Sequence, residues 1–486
     1  MGDPLPPQNQ AASTSIAAAI PKTATQIEGL DEILKGGLPI GRVTLVGGGP
    51  GAGKTVFGLE LLYRAALSGE PGIFLSFEES AANIRQNARS FGWDLAALEK
   101  SGKLFLMEGL LDPEVVISGD FNLAGFLSII EGKARDMGAG RVVIDALDVL
   151  MRYFDDPMRE QQQVLGLHNW LVNNGLTAVL TTKNTKIKER PSPYEYLDFM
   201  ADCVIYLDQK AQDQVNTKRM QIVKYRGSAY GSNEYPFLVT DKGMYFHAIS
   251  DMLLDFEPSS KRASSGVPQL DEILGGGYFQ GSAILISGMT GTGKTSVAAT
   301  FAHAACAKGQ KVLYINFEES RPGLLAGMRS IGIDLGSAIE GDALWVMSTM
   351  PESRGIEEHL YDKVCAIKRF KPDHVVVDAI SACKRIAGDK ASFDFIMRLV
   401  NFCRRRGITT VLINQSSSEE VTHAVSGIGI SSIIDTILTL YYEDAGAQTN
   451  RLLQVLKSRG THHSNRYHTF VLTDDGVQFR ANRPDK

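Results

Sequence analysis

Four short apolar, β-branched runs punctuate the first half of the chain: Val43 to Val46, Ile73 to Phe77, Arg141 to Ile144 and Ala178 to Thr182. Longer amphipathic segments separate them. Short apolar runs fit strands covered on both faces, and the longer segments fit helices lying against those strands. The alternation therefore predicts βαβ units, giving an α/β fold with a mainly parallel sheet and helices on both faces. Two further stretches, Thr217 to Tyr225 and Tyr235 to Phe246, predict hairpin strands added at the edge of that sheet.

The pattern then repeats. Leu30-Asp31-Glu32-Ile33-Leu34 returns as Leu270-Asp271-Glu272-Ile273-Leu274, and Phe77-Glu78-Glu79-Ser80 returns as Phe317-Glu318-Glu319-Ser320, both 240 positions later. Further on the offset is 233, carrying Asp145 to Asp378 and Lys224-Tyr225-Arg226-Gly227 to Lys457-Ser458-Arg459-Gly460. Phe237, Asp241 and Gly243 likewise return as Phe470, Asp474 and Gly476. One seven-residue deletion accounts for the change of offset, and register held across so many motifs marks a gene duplication. The expected organisation is a flexible tail over 1–22, a first domain over 23–250, a linker over 251–265 and a second domain over 266–486. The seam is the polar stretch from Pro258 to Ser265, which lacks apolar periodicity.

Composition agrees with two large soluble units: 486 residues, 44% hydrophobic and 22% charged. A formal net charge of -5 gives no general attraction for nucleic acid or anionic lipid, so a nucleic-acid partner is not expected. No run approaches the ~18 apolar residues of a membrane span. Cys203, Cys306, Cys365, Cys383 and Cys403 form no CxxC pair, which fits a reducing cytoplasmic location. The tail is rich in Ala, Pro, Gln and Ser and lacks the charged start and apolar stretch of a signal peptide.

The chemistry sits at the strand ends. Gly48-Gly49-Pro50-Gly51-Ala52-Gly53-Lys54-Thr55 and Gly288-Met289-Thr290-Gly291-Thr292-Gly293-Lys294-Thr295 both fit G-x-x-x-x-G-K-[ST], each after an apolar strand and at the start of a helical segment. Glycines let backbone N-H groups converge on phosphate oxygens, and the helix N-terminus adds its positive end. Lys54 and Lys294 are expected to neutralise the β- and γ-phosphates of ATP, with Thr55 and Thr295 as ligands of Mg2+. Asp145 and Asp378, each ending an apolar run, are the Walker B candidates on the metal side. Hydrolysis also needs a base near the γ-phosphate. The acidic pairs Glu78-Glu79 and Glu318-Glu319 stand one βα unit past the two lysines, and either member of each pair suits the role.

Lys224 with Arg226, and Lys457 with Arg459, alternate along a strand and so share one face, a geometry suited to the triphosphate of a neighbouring subunit. With these residues placed, the chain resembles the KaiC family of bacterial circadian-clock proteins from about Glu28 to Gln478. The resemblance covers the P-loops, the Phe-Glu-Glu-Ser segments, Ser90-Phe91-Gly92-Trp93, the Walker B strands and the Lys-x-Arg-Gly hairpins. It implies two RecA-like domains stacked as two rings in a homohexamer with ATP at subunit interfaces. It also implies an ATPase first ring, an autokinase and autophosphatase second ring, and a KaiB-like partner. By the same resemblance Ser90 joins the ATP-binding residues of the first domain and Glu318 the metal side of the second. Tyr225, Ser228, Asp241, Arg451, Ser458, Thr461 and His463 join the contacts made across the interface. Ser431 and Ser432 occupy the family's two phosphoacceptor positions.

Three departures stand against the family pattern. Gly427 replaces an acidic residue beside the phosphoacceptors, and Tyr230 replaces a His that meets nucleotide in the first ring. The tail that the family offers to KaiA has no counterpart after the hairpin, so dependence on KaiA is not expected. Two other readings share the same motifs: a RecA-like DNA-handling ATPase, and a nucleotide-gated scaffold whose second ring binds ATP without turnover.

Overall fold

The computed structural model describes residues 20–109, 123–154, 156–183, 195–212, 215–247, 259–416, 429–444 and 449–480. The short stretch Lys210–Thr217 aside, the chain parts after His247 into two compact units.

In the first unit the four apolar runs become fully buried strands within a set of nine. The nine are β1 (Val43–Gly48), β2 (Gly72–Ser76), β3 (Leu104–Glu108), β4 (Arg141–Asp145) and β5 (Thr177–Thr182), followed by β6 (Cys203–Gln212), β7 (Val215–Tyr225), β8 (Glu234–Thr240) and β9 (Gly243–Phe246). They form one nine-stranded sheet in the order β9-β8-β7-β6-β1-β5-β4-β2-β3. The pairings from β3 to β6 are parallel, and β8 pairs antiparallel with both β7 and β9. Helix α1 (Lys54–Leu67) follows the P-loop, α2 (Ala81–Arg89) follows the first acidic pair, and α3 (Leu123–Met137) and α4 (Pro157–Asn173) bury Leu123, Ile130, Val164, Leu167 and Leu171 against the sheet. A short helix α5 (Glu195–Met200) precedes β6.

The terminal hairpin is tied to the P-loop helix by a buried carboxylate. Glu60, 0% exposed on α1, accepts the Met244 N-H at 2.6 Å and pairs with Arg64 one turn on. Gly243 at the turn (φ +116°) is required there, because a Cβ would lie 2.5 Å from Glu60 Oε1.

The second unit repeats the architecture with β10 (Ala283–Gly288), β11 (Val312–Asn316), β12 (Leu344–Ser348), β13 (His374–Asp378), β14 (Thr409–Gln415), β15 (Thr436–Asp444), β16 (Thr449–Ser458), β17 (His468–Thr473) and β18 (Gly476–Phe479). Their order, β12-β11-β13-β14-β10-β15-β16-β17-β18, is the first sheet's order again. One face packs on α6 (Lys294–Ala307), with α7 (Arg321–Arg329) beyond the second acidic pair; the other packs on α8 (Ile356–Phe370) and α9 (Lys384–Arg404).

The copies differ inside. In the first, Phe77 meets Phe126 of α3 at 6.0 Å between ring centroids, and Ile130 lies fully buried one turn on. In the second, Phe317 meets His359 of α8 edge-on at 5.5 Å, and the position of Ile130 is taken by Lys363, also 0% exposed. The Lys363 ammonium lies 5.3 Å from the Phe317 ring, and its one hydrogen bond among those described goes to Thr349 Oγ1 at 3.4 Å. Burial pushes it down to about 8.

Candidate functional site

Each P-loop leaves the centre of its sheet, where β1 lies between β5 and β6 and β10 between β14 and β15. In such open sheets ligands bind beyond the carboxyl ends of the strands, where the connections turn to opposite sides. Gly53 and Gly293 both sit at φ +101° just before their helices, a conformation that a side chain would strain. Lys54 donates to the carbonyls of Gly48 at 2.8 Å and Gly49 at 3.0 Å, and Lys294 to that of Met289 at 2.7 Å. Burial lowers the pKa of both ammoniums, while the Walker B carboxylates oppose the shift.

The predicted metal-side pairs are brought together. Thr55 Oγ1 donates to Asp145 Oδ2 at 2.8 Å and Thr295 Oγ1 to Asp378 Oδ2 at 2.9 Å. Both aspartates end strands one removed from the P-loop strand, with β5 or β14 between. Burial raises the pKa of each, Asp378 to about 6. The opposing hydrogen bonds differ between copies: Thr181 and Thr55 for Asp145, Thr295 and Tyr314 for Asp378. Tyr314 donates its phenol to Asp378 Oδ2 at 2.9 Å.

The acidic pairs stand just past β2 and β11. Asn316 Oδ1 accepts the N-H groups of both Glu318 and Glu319 at 2.9 Å, whereas Ser76 Oγ accepts that of Glu79 at 3.0 Å. Glu79 accepts from Asn87 Nδ2 at 3.0 Å, and Glu78 pairs with Lys183. Glu318 and Glu319 are exposed at the strand end, and their charge helps to raise Asp378.

The cations of the Lys-x-Arg segments share a face as expected, but within this chain they hold carbonyl oxygens. Lys224 Nζ donates to Asp198 O at 2.8 Å and Phe199 O at 3.0 Å, and Arg226 Nη2 to Phe199 O at 2.7 Å. Lys457 Nζ donates to Ser431 O at 2.9 Å and Ile434 O at 2.7 Å, and Arg459 Nη2 to Ser432 O at 2.7 Å. Ser431 and Ser432 themselves lie exposed on a short turn. The residue between the cations faces inward because strand side chains alternate. Tyr225 is 3% exposed with its hydroxyl on Gly37 O at 2.7 Å, and Ser458 is 8% exposed beside Thr436. Their side chains are therefore not presented to a neighbour.

Other expected contacts are dispersed. Arg451 lies over the P-loop of its own domain, 3.5 Å from Gly291 O, and Lys218, which the sequence reading did not single out, reaches Gly51 O at 2.5 Å. Ser90 caps α2 on Asn87 O, Ser228 accepts from Lys22 Nζ at 2.8 Å, and Asp241 stands exposed in the β8-β9 turn. Thr461 accepts from Arg262 at 3.0 Å, His463 Nδ1 lies 3.2 Å from Thr461 O, and Tyr230 donates to Val223 O at 2.9 Å. Gly427 lies outside the described residues. Missed altogether were Lys183 and Gln415, at the ends of β5 and β14. Their signal was present in the parallel runs Thr177 to Lys183 and Thr409 to Gln415.

Comparison with known proteins gives the same picture at the level of family. A family model described as "ATPase: KaiC" matches residues 23–251 and again 263–483. The chain is 38% identical over 461 residues to the "Circadian clock protein KaiC2" of Synechocystis sp., covering 94% of this chain and 81% of that one. It is 36% identical over 464 residues to the "Circadian clock oscillator protein KaiC" of Synechococcus elongatus, covering 95% and 89%. With the protein of the same description from Parathermosynechococcus lividus it shares 35% over 476 residues, covering 98% and 88%.

Proposed function

The chain belongs to the KaiC ATPase family, and from that footing we propose that both domains hydrolyse ATP with Mg2+ and that the second also phosphorylates Ser431 and Ser432, the whole working as a cytoplasmic homohexamer. The observation that carries the ATPase reading is the convergence of a P-loop threonine and a buried aspartate, at 2.8 Å in one domain and 2.9 Å in the other. One hydroxyl and one carboxylate suit a magnesium ion, which keeps several waters and takes its remaining oxygens from phosphates. Thr55 with Asp145, and Thr295 with Asp378, would hold it, with Glu318 at its edge. Bound there, the ion neutralises charge on the transferring phosphoryl group.

The residues of the chain do the rest. The P-loop N-H groups and Lys54 or Lys294 cradle the phosphates, and one carboxylate of each acidic pair takes a proton from the attacking water. The water oxygen bonds the γ-phosphorus, and the bridging oxygen leaves with ADP. In the kinase reading a serine hydroxyl replaces water. Lys224, Arg226, Lys457 and Arg459 would then leave their carbonyl partners for the triphosphate of a neighbouring protomer. Exposure of Ser431 and Ser432 on a turn gripped by two of those cations supports the acceptor assignment.

The test is incubation with ATP radiolabelled at the γ-phosphate, without any added protein, comparing wild type with Ser431→Ala/Ser432→Ala. Label on wild type alone is the expected result. Equal label on both, or none on either, removes the acceptors, and phosphorylation without a KaiA-like activator would bear out independence from one. A KaiB-like protein is the proposed partner, testable by co-sedimentation with the hexamer.

A further inference from the structure

The strand lying between the P-loop strand and the Walker B strand ends differently in the two domains. In the first sheet Gly47 of β1 faces Thr182, so Lys183 comes level with Gly48; in the second, Gly288 faces Gln415. Lys183 and Gln415 thus hold one position. Their backbones are also tied from one place: the Lys183 N-H donates to Asp148 Oδ1 at 2.9 Å, the Gln415 N-H to Ser381 Oγ at 3.4 Å.

The side chains then part. Gln415 Nε2 donates to Thr290 Oγ1 of the P-loop at 2.8 Å, whereas the Lys183 ammonium pairs with the Glu78 carboxylate. The first domain has exchanged Ser381 for Asp148 and Gln415 for Lys183, adding one negative and one positive charge together. Asp148 is 1% exposed, a fixed anchor, while the Lys183 and Glu78 side chains are 34% and 37% exposed. A pair so open to water contributes little to stability. Its effect is to orient a carboxylate that would otherwise swing free at a strand end. Lys54 feels the charges of Glu78 and Lys183 as well as that of Asp145, so the pair borders the phosphate cradle. Glu79 turns to Asn87 of α2 instead.

We propose that Lys183 is a positioning residue that makes Glu78, rather than Glu79, the base of the first site. The inference rests on the reading above that one of these two acids serves as base. Among the described residues the second domain shows no such clamp at the equivalent strand end, where Gln415 has turned to the P-loop.

The experiment measures phosphate release by full-length protein against ATP concentration, in a Glu318→Gln/Glu319→Gln background that confines turnover to the first site. If Glu78→Gln/Glu79→Gln leaves that turnover intact, the base reading fails and this inference with it. If it abolishes turnover, the single variants decide about Lys183 alone. The expected result for Lys183→Met is a roughly tenfold fall in kcat with KM for ATP unchanged, the scale of coupling between neighbouring groups. Lys183→Arg, which can keep the ion pair, should recover most of it, and Glu78→Gln should cost far more than Glu79→Gln. A raised KM with kcat retained would make Lys183 a ligand of the nucleotide and overturn the proposal. So would no change in either constant, or greater damage from Glu79→Gln.

Discussion

Lys363 offers the sharpest test of the packing. Its side chain is fully buried, on the face of α8 where the first domain carries Ile130, and burial takes its ammonium from the usual 10.5 to about 8. The groups that bear on it are Asp362, Arg354 and the Cys383 thiol, besides His359 one turn away. Below pH 8 the lysine is charged both folded and unfolded, and the folded state carries the full cost of burying it. Between about 8 and 10.5 the folded chain has lost the proton and the unfolded chain has not, so stability climbs with pH; above 10.5 the cost is gone. A shift of that size corresponds to about 3 kcal/mol at pH 7, falling to about 1 kcal/mol near pH 10. Lys363→Met and Lys363→Ile should therefore stabilise the second domain at pH 7, Ile being the residue that the first domain already accommodates. The reporter is Trp345, which packs against Phe370 at 5.8 Å between ring centroids. With Trp93 and Trp170 replaced by Phe, urea unfolding followed by its fluorescence reports on this region. Differences in packing between Lys and Met are the same at both pH values, so the quantity tested is the change in the gap, about 2 kcal/mol. A gap that does not change with pH would refute the reasoning, and so would a wild type more stable than Lys363→Met at pH 7.

The remaining predictions concern the metal side, a turn and the hairpin. Because the Asp378 carboxyl is raised to about 6, protons should compete with Mg2+ there, and metal-dependent retention of a fluorescent ATP analogue by a Lys54→Ala protein should weaken as pH falls below about 6. Without metal the same raised pKa works the other way on stability, which should decline from about pH 4 to about 6 as the folded state gives up a proton that the unfolded state has already released. Gly332→Ala should destabilise the second domain by more than about 2 kcal/mol in denaturant unfolding, since its Cβ would lie 1.7 Å from Asp474 O. Gly92→Ala, at the matching turn with open space around it, should cost only about 1 kcal/mol for its positive φ. Glu60→Ala leaves the buried Met244 N-H unpaired and should lower first-domain stability by about 1–3 kcal/mol in the same assay, with faster hydrogen exchange at Met244.

What could be read from the sequence follows from what sequence encodes locally. Buried strands are written as apolar runs, so β1, β2, β4 and β5 stood where the pattern placed them, and the P-loops, being contiguous, were complete. Strand order is not written locally. That β5 lies between β1 and β4 is a product of the crossovers, and only this order brings Lys183 beside Glu78. Polar residues in helices also mislead: nothing in Ile356–Phe370 distinguishes the buried His359 and Lys363 from solvent-facing ones until the repeat shows apolar residues at both places. The inward turn of Tyr225 and Ser458 was available from alternation, because the same rule that set Lys224 and Arg226 on one face set the residue between them on the other.

Lys457 and Arg459 together grip three main-chain oxygens of the turn that bears Ser431 and Ser432. If these cations engage a neighbouring protomer's phosphate as proposed, they would let go of the peptide carbonyls, and the same two side chains would act as a leash whose slack is governed from outside the turn. Ligation elsewhere would reach the serines as a change in tether, through freedom of movement, with no need for the arriving anion to touch them.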